Sequence, residues 1–177
     1  MLDVPPEILL AGAGADELID LLLRLLVEPG DRVLNCPPTF GMYAFDSDLN
    51  RARLVSIPRR ADFSLDMPAI EQAVQSEHPK LMFVASPNNP DGSLASPDDL
   101  ERLLALPVLL VLDEAYIEFA PQGHSLIQQV PQRSNLVVLR TFSKWAGLAG
   151  LRVGYGAFPS ALMPHLLKIK QPYTVSV

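Results

Sequence analysis

The chain has 177 residues, within the roughly 100–200 residues of one domain and long enough to bury about 70% of the surface its unfolded form exposes. Hydrophobic residues make up 49% and charged residues 19%, which excludes an intrinsically disordered chain. With 14 Lys+Arg against 20 Asp+Glu, a net charge of −6 and no basic run able to follow a phosphate backbone, nucleic acid and anionic membranes are poor partners. The longest apolar stretches are broken by Asp20, Arg24, Glu28 and Asp113, short of the roughly 18 uninterrupted residues of a membrane span. Met1 to Glu7 carry neither the basic region nor the apolar core of a signal peptide. The single cysteine, Cys36, can close no disulfide within the chain, so a cytoplasmic setting is expected and Cys36 should pack as a small apolar residue. His78, His124 and His165 lie far apart, and no metal site is expected.

In chain order, Leu18, Ile19, Leu22, Leu25 and Leu26 recur at three- and four-residue steps against a polar stripe of Glu17, Asp20, Arg24 and Glu28, which predicts an amphipathic helix over residues 15–28. Pro29-Gly30-Asp31 ends it. A short strand at 32–36 halts at Pro37-Pro38, and a loop is expected to follow. Strands are predicted at 53–57 and 81–86, a helix at 67–75 between them, and a sharp turn at Pro87-Asn88-Asn89-Pro90-Asp91-Gly92. Ser96 suits an N-cap, with Pro97 in the first helical position and Asp99 three residues beyond the cap; that helix should run to about Leu106. Further apolar strands are predicted at 108–112, 136–139 and 153–157, and a closing helix at 160–170. Strands that read apolar throughout and alternate with helices predict an α/β fold, a three-layer α/β/α sandwich around a mostly parallel sheet. There is no internal repeat, low-complexity tract or linker.

In open α/β sheets ligands bind beyond the carboxyl ends of the strands, so polar residues that follow apolar runs are the candidates. These are Asn88 and Asn89, Asp113 and Tyr116, and Thr141, Ser143 and Lys144. Gly12-Ala13-Gly14-Ala15 reads as a turn before the first helix, whose free N–H groups suit a phosphate, and Arg152 can add a bidentate contact. The turn lacks the third glycine of a dinucleotide fingerprint, because Glu17 stands in its place. Taken singly, each feature has a bland reading as a turn, a capping carboxylate or a solvated lysine. Together they supply a phosphate cup, a lysine nucleophile, a carboxylate at the end of a buried strand, an amide and a phenol. A pyridoxal phosphate enzyme needs these parts: lysine to bind the aldehyde, a carboxylate to keep the pyridine nitrogen protonated, and donors to hold the phenolic oxygen. Partial burial of Lys144 beside Arg152 is expected to favour the neutral, nucleophilic amine.

Five strings carry a resemblance. Gly14-Ala15-Asp16-Glu17, Cys36-Pro37-Pro38-Thr39-Phe40-Gly41-Met42-Tyr43, Ser86-Pro87-Asn88-Asn89-Pro90-Asp91-Gly92, Asp113-Glu114-Ala115-Tyr116-Ile117-Glu118-Phe119 and the stretch from Arg140-Thr141-Phe142-Ser143-Lys144 through Gly156 together resemble the histidinol-phosphate aminotransferases, a class II branch of the fold-type I pyridoxal phosphate enzymes. The resemblance implies pyridoxal 5'-phosphate as cofactor. Lys144 would be the Schiff-base lysine and the acid–base group of the proton shift, Asp113 would pair with the pyridinium nitrogen, and Tyr116 with Asn89 would hold the phenolic oxygen. The Ala15 and Asp16 backbone, Thr141, Ser143 and Arg152 would bind the phosphate, and Phe40 would stack on the ring where many relatives have tyrosine. The implied substrates are histidinol phosphate and 2-oxoglutarate, with imidazole acetol phosphate and glutamate as products, in a homodimer with shared active sites.

Two strings depart from the family pattern. Asn-Pro-Thr-Gly reads Asn89-Pro90-Asp91-Gly92 here, and Lys-Ala-Phe-Gly reads Lys144-Trp145-Ala146-Gly147; neither change removes a named cofactor contact. Family members are longer, with an N-terminal arm and a C-terminal small domain, so residues 1–177 are expected to be a cofactor-binding large domain that holds pyridoxal phosphate with little or no turnover alone. The same motifs suit an aromatic amino acid aminotransferase, a threonine-phosphate decarboxylase, or a cofactor domain without catalysis.

Overall fold

The computed structural model describes residues 4–173. In it the apolar runs pair into a seven-stranded sheet, β1 (Leu9–Ala13), β2 (Arg32–Asn35), β3 (Arg53–Ser56), β4 (Leu81–Ala85), β5 (Leu109–Asp113), β6 (Leu136–Thr141) and β7 (Val153–Ala157), in the order β1-β7-β6-β5-β4-β2-β3. Strands β6, β5, β4, β2 and β3 run parallel. Strand β7 is antiparallel to both β6 and β1, so β1 points the same way as the parallel set. The carboxyl ends of β1, β2, β4, β5 and β6 and the amino end of β7 therefore share one edge, and that edge carries the candidate residues.

Side chains along the inner strands alternate between two cores, as the period of two requires. On one face Met82, Val84, Leu110, Leu112 and Val138 pack with α3 (Met67–Glu77) and α4 (Pro97–Leu104). On the other, Phe83, Val111, Val137 and Leu139 pack with α1 (Gly14–Leu26), Tyr43 of α2 (Met42–Leu49) and α5 (Met163–Ile169). This is the three-layer sandwich expected, and strand β4, buried at every position, shows why its sequence carries no polar alternation. Leu18, Ile19, Leu21, Leu22 and Leu23 of α1 are fully buried, each contributing roughly 1.5–3 kcal/mol by leaving water.

Local signals set most boundaries. The Ser96 hydroxyl accepts from the Asp99 N–H at 3.1 Å, as its capping role requires, and Asp66 caps α3 in the same way through Ala69. Helix α4 stops at Leu104, two residues short of expectation, and Leu106 precedes Pro107, a position disfavoured in helix. Helix α5 begins at Met163 rather than 160, with Pro164 in the first turn, where its missing N–H costs nothing.

Two elements correct the sequence reading. The stretch after Pro37-Pro38, expected as a loop, contains α2. Its buried face mixes Tyr43 with Asp46 and Ser47, so eight residues show no apolar period. Gly12 and Ala13, expected in a turn, belong to β1, an edge strand whose small residues signal strand weakly. Among the described residues no helix is long and apolar enough to cross a membrane.

Candidate functional site

All ten residues to which the resemblance gives a cofactor role line one cleft at the shared strand edge: Ala15, Asp16, Phe40, Asn89, Asp113, Tyr116, Thr141, Ser143, Lys144 and Arg152; Asn88, the other candidate, does not. Asp113, the last residue of β5, lies between the ends of β4 and β6, in register with Ala85 and Leu139. Its carboxylate is buried, accepting from the Tyr43 hydroxyl at 2.6 Å and the Ala115 N–H at 2.9 Å. Burial pushes the Asp113 carboxyl up from the ordinary range, and those two hydrogen bonds oppose the shift. Tyr43 keeps its proton for the same reasons, burial first and then the adjacent Asp113 carboxylate.

Beside this floor, Lys144 stands in the turn that follows β6. Gly147, at φ +65°, returns its N–H to the Lys144 carbonyl, and the Phe142 N–H bonds the Val153 carbonyl, joining the loop to β7. The Lys144 ammonium lies 5.5 Å from the centroid of the Tyr116 ring. Lys144 is exposed, which corrects the expected partial burial: the loop lifts it clear of the sheet edge, and Arg152 is engaged elsewhere.

The end of the cleft at the start of α1 is built by close backbone approach. Gly14 opens α1 at φ +79°, and Gly154 of β7 sits across from both Gly12 and Thr141. A Cβ on Gly154 would meet the Gly14 carbonyl carbon at 2.4 Å and the Ala15 nitrogen at 2.5 Å. Only glycine admits the helix end this close to the sheet. Glu17 reaches back to the Ala13 N–H at 2.6 Å and steadies the turn, a use its place in the failed dinucleotide pattern did not suggest. Around the first amides of α1, which have no partner within the helix, stand the Thr141 and Ser143 hydroxyls, 3.0 Å apart, and the Arg152 guanidinium, paired with Asp16 at 2.8 Å. Gly154→Ala is expected to cost about 3 kcal/mol of stability, lowering Tm by roughly 6–12 °C. A thermal melt checks this, and an unchanged Tm would mean that the contact is not so tight.

The two asparagines divide. Asn88 is buried and fully used within the turn, donating to the Pro38 carbonyl and Asp91 and accepting from Thr39. Asn89 alone of the pair lines the cleft. Asp91, one of the departures from the family strings, thus braces the turn, accepting also from the Ser93 N–H at 3.0 Å. Trp145, the other departure, is about half exposed and packs on Phe142 with ring centroids 6.0 Å apart. Cys36 is buried, and burial pushes its thiol up to about 12, as an inert core residue requires.

Sequence reasoning gave no role to Tyr43, Glu114 or Arg140, although all three stand in the strings quoted above. Glu114 is fully buried and gathers the Ser125 hydroxyl, the Leu126 N–H and the Arg140 guanidinium, tying the segment after β5 to β6 behind Asp113. A buried carboxylate must find donors, which is a signal in the sequence, but not one that names the donor.

The chain is similar to known proteins along nearly its whole length. The chain is 55% identical over 171 residues to the Arabidopsis thaliana protein named histidinol-phosphate aminotransferase 1, chloroplastic, covering 97% of this chain and 41% of the relative. It is 54% identical to the histidinol-phosphate aminotransferase of Roseiflexus castenholzii, covering 98% of this chain and 46% of the relative. The crystal structure of histidinol-phosphate aminotransferase from Sinorhizobium meliloti, in complex with pyridoxal-5'-phosphate, superimposes with a TM-score of 0.89 at 33% identity over 96% of this chain and 47% of that one. The chain thus spans less than half the length of these relatives. The model of the family described as aminotransferase class I and II matches residues 2–177, nearly every position of the sequence, and the chain belongs to that family.

Proposed function

We propose that residues 1–177 form the cofactor-binding large domain of a pyridoxal 5'-phosphate-dependent histidinol-phosphate aminotransferase, which moves an amino group from histidinol phosphate to 2-oxoglutarate. The observation that carries this reading is the meeting, in one cleft, of a lysine, a buried carboxylate floor and a glycine-built anion cup. The names and the 54–55% identity of the plant and bacterial relatives support the choice of substrate. A homodimer and a cytoplasmic setting accompany the proposal on the strength of the family resemblance.

The cleft suits the cofactor. When bound, pyridoxal phosphate supplies an aldehyde that takes up the amino group and a ring that accepts the electron pair released at the substrate's α-carbon. The Asp113 carboxylate would hold a proton at the ring nitrogen, where a buried charge acts strongly. Tyr116 and Asn89 would donate to the phenolic oxygen, and Phe40 would cover a ring face. The amides of Ala15 and Asp16, the hydroxyls of Thr141 and Ser143 and the Arg152 guanidinium would take the phosphate charge, with Arg152 giving up or sharing its bond to Asp16. Lys144 would carry the cofactor and, once released from it, take a proton from the substrate α-carbon with its amine and return one.

An absorbance spectrum of the purified chain with added pyridoxal phosphate, followed by borohydride reduction and peptide mass mapping, tests the proposal. A visible band and one pyridoxyl adduct on Lys144 are expected, with little turnover of histidinol phosphate by these residues alone. No band, or adducts scattered over the other lysines, would overturn it.

A further inference from the structure

Tyr43 joins two parts of the cleft that the chain supplies separately. Its hydroxyl donates to the Asp113 carboxylate at 2.6 Å, across 70 positions of sequence. Its ring stacks face to face on Phe83 of β4, with centroids 4.7 Å apart and planes 2° from parallel, and meets Phe40 edge-on at 5.5 Å. The side chain is fully buried, and Ser47 bonds its carbonyl at 2.6 Å, so ring and hydroxyl have little freedom to turn away.

We propose that Tyr43 is a positioning residue: its buried hydroxyl holds the Asp113 side chain as an oriented carboxylate at the floor of the cleft, while its ring sets the slope of Phe40 beside it. This inference rests on the pyridoxal phosphate reading for its purpose, since a charged Asp113 is needed only if a cationic ring nitrogen is to sit against it. A buried carboxylate left without a donor takes up a proton instead, and Ala115, which bonds the other oxygen, cannot satisfy both. The remaining charges that bear on Asp113 come from Asp16 on α1, which disfavours its ionised form, and Lys144 after β6, which favours it. Tyr43 also feels Arg59. On the same helix, Asp46 is pushed up to about 6 by its burial and by Asp20 and Asp16, so a bulk pH profile would mix the two carboxyls and a residue-resolved readout is needed.

Carbon-13 NMR of the Asp113 side-chain carboxyl in the cofactor-free chain, titrated with pH, provides that readout, with Asp113→Asn identifying the resonance. Tyr43→Phe keeps the stack on Phe83 and removes one hydrogen bond to a charged group, so the Asp113 midpoint should rise by roughly one to two pH units. An unchanged midpoint would overturn the inference while leaving the functional reading intact. In the unmodified chain the Tyr43 Cζ resonance should follow the Asp113 titration, which decides the matter even where Tyr43→Phe folds poorly; a Cζ signal that ignores it overturns the proposal. A second arm uses the cofactor. Tyr43→Phe should weaken pyridoxal phosphate binding about tenfold or more, yet leave unchanged the binding of the analogue with carbon in place of the ring nitrogen. Equal weakening for both would make Tyr43 merely structural, and no binding of either by the unmodified chain would overturn the functional reading instead.

Discussion

Lys144→Ala is expected to abolish the borohydride-reducible adduct and, in the complete protein, to lower turnover by about 10²–10⁴-fold through lost proton transfer alone. No other lysine stands ready to replace it. Lys80 precedes β4 at the opposite edge of the sheet, and Lys168 and Lys170 lie at the end of α5; none lines the cleft. The fold should scarcely notice the change, because Lys144 is exposed and its approach to the Tyr116 ring is worth at most about 1 kcal/mol. Mass mapping after reduction, with a thermal melt beside it, checks both halves. An adduct that persists at another lysine would remove Lys144 from its assigned role, and a large fall in Tm would make it a structural residue.

Asp113→Asn separates stability from function in opposite directions. In the cofactor-free chain the Asp113 carboxyl holds its proton more tightly folded than unfolded, because burial raises its pKa and the bonds from Tyr43 and Ala115 only partly offset that. A carboxyl raised in this way adds stability at low pH and loses it as pH climbs from about 4, the unfolded value, through the folded one. The asparagine carries no charge, so this site's pH dependence should vanish and the variant should gain stability at neutral pH relative to the parent, less the hydrogen bond its single oxygen cannot accept. Turnover of the complete protein should nevertheless fall by about 10²–10³-fold, the usual cost of removing a preorganised charge from a water-poor site. Melts at pH 4 and pH 7 together with an activity assay distinguish the outcomes. A loss of stability at both pH values would show that Asp113 serves the fold first, and unchanged turnover would remove it from the chemistry.

Features set by neighbouring residues could be read directly. The stripe of α1, the Ser96 cap, the apolar runs of β4 and of residues 136–139 and the turn before Ser93 are all written in patterns a few positions long. Most of the cleft residues were legible because polar residues and a turn stand at the ends of apolar runs, and strand ends of a parallel sheet share one edge, whereas Asp16 and Phe40 were legible only through the family resemblance. Helix α2 was not, since its buried face is half polar, and strand β1 was not, since Leu-Leu-Ala-Gly-Ala marks neither period.

Tertiary packing decided the rest. Residue order placed Asp113 at the end of an apolar strand and Tyr43 in a string of aromatics and prolines, yet only the packing of Tyr43 against Phe83 brings its hydroxyl to that carboxylate. Likewise Asn88 and Asn89 are chemically identical neighbours, and the side of the turn that meets Pro38 and Thr39 commits one to structure and leaves the other facing the cleft. Gly154 is one of several glycines until β7 lies beneath the start of α1, where no side chain fits. Lys144, expected half buried, is held in the open by a loop tied to β7. Periodicity, caps and turns act over a few residues and are written in composition and spacing. The partner of a buried polar group is whichever group the folded layers press against it, and separations of 70 positions, as between Tyr43 and Asp113, leave no trace in local pattern.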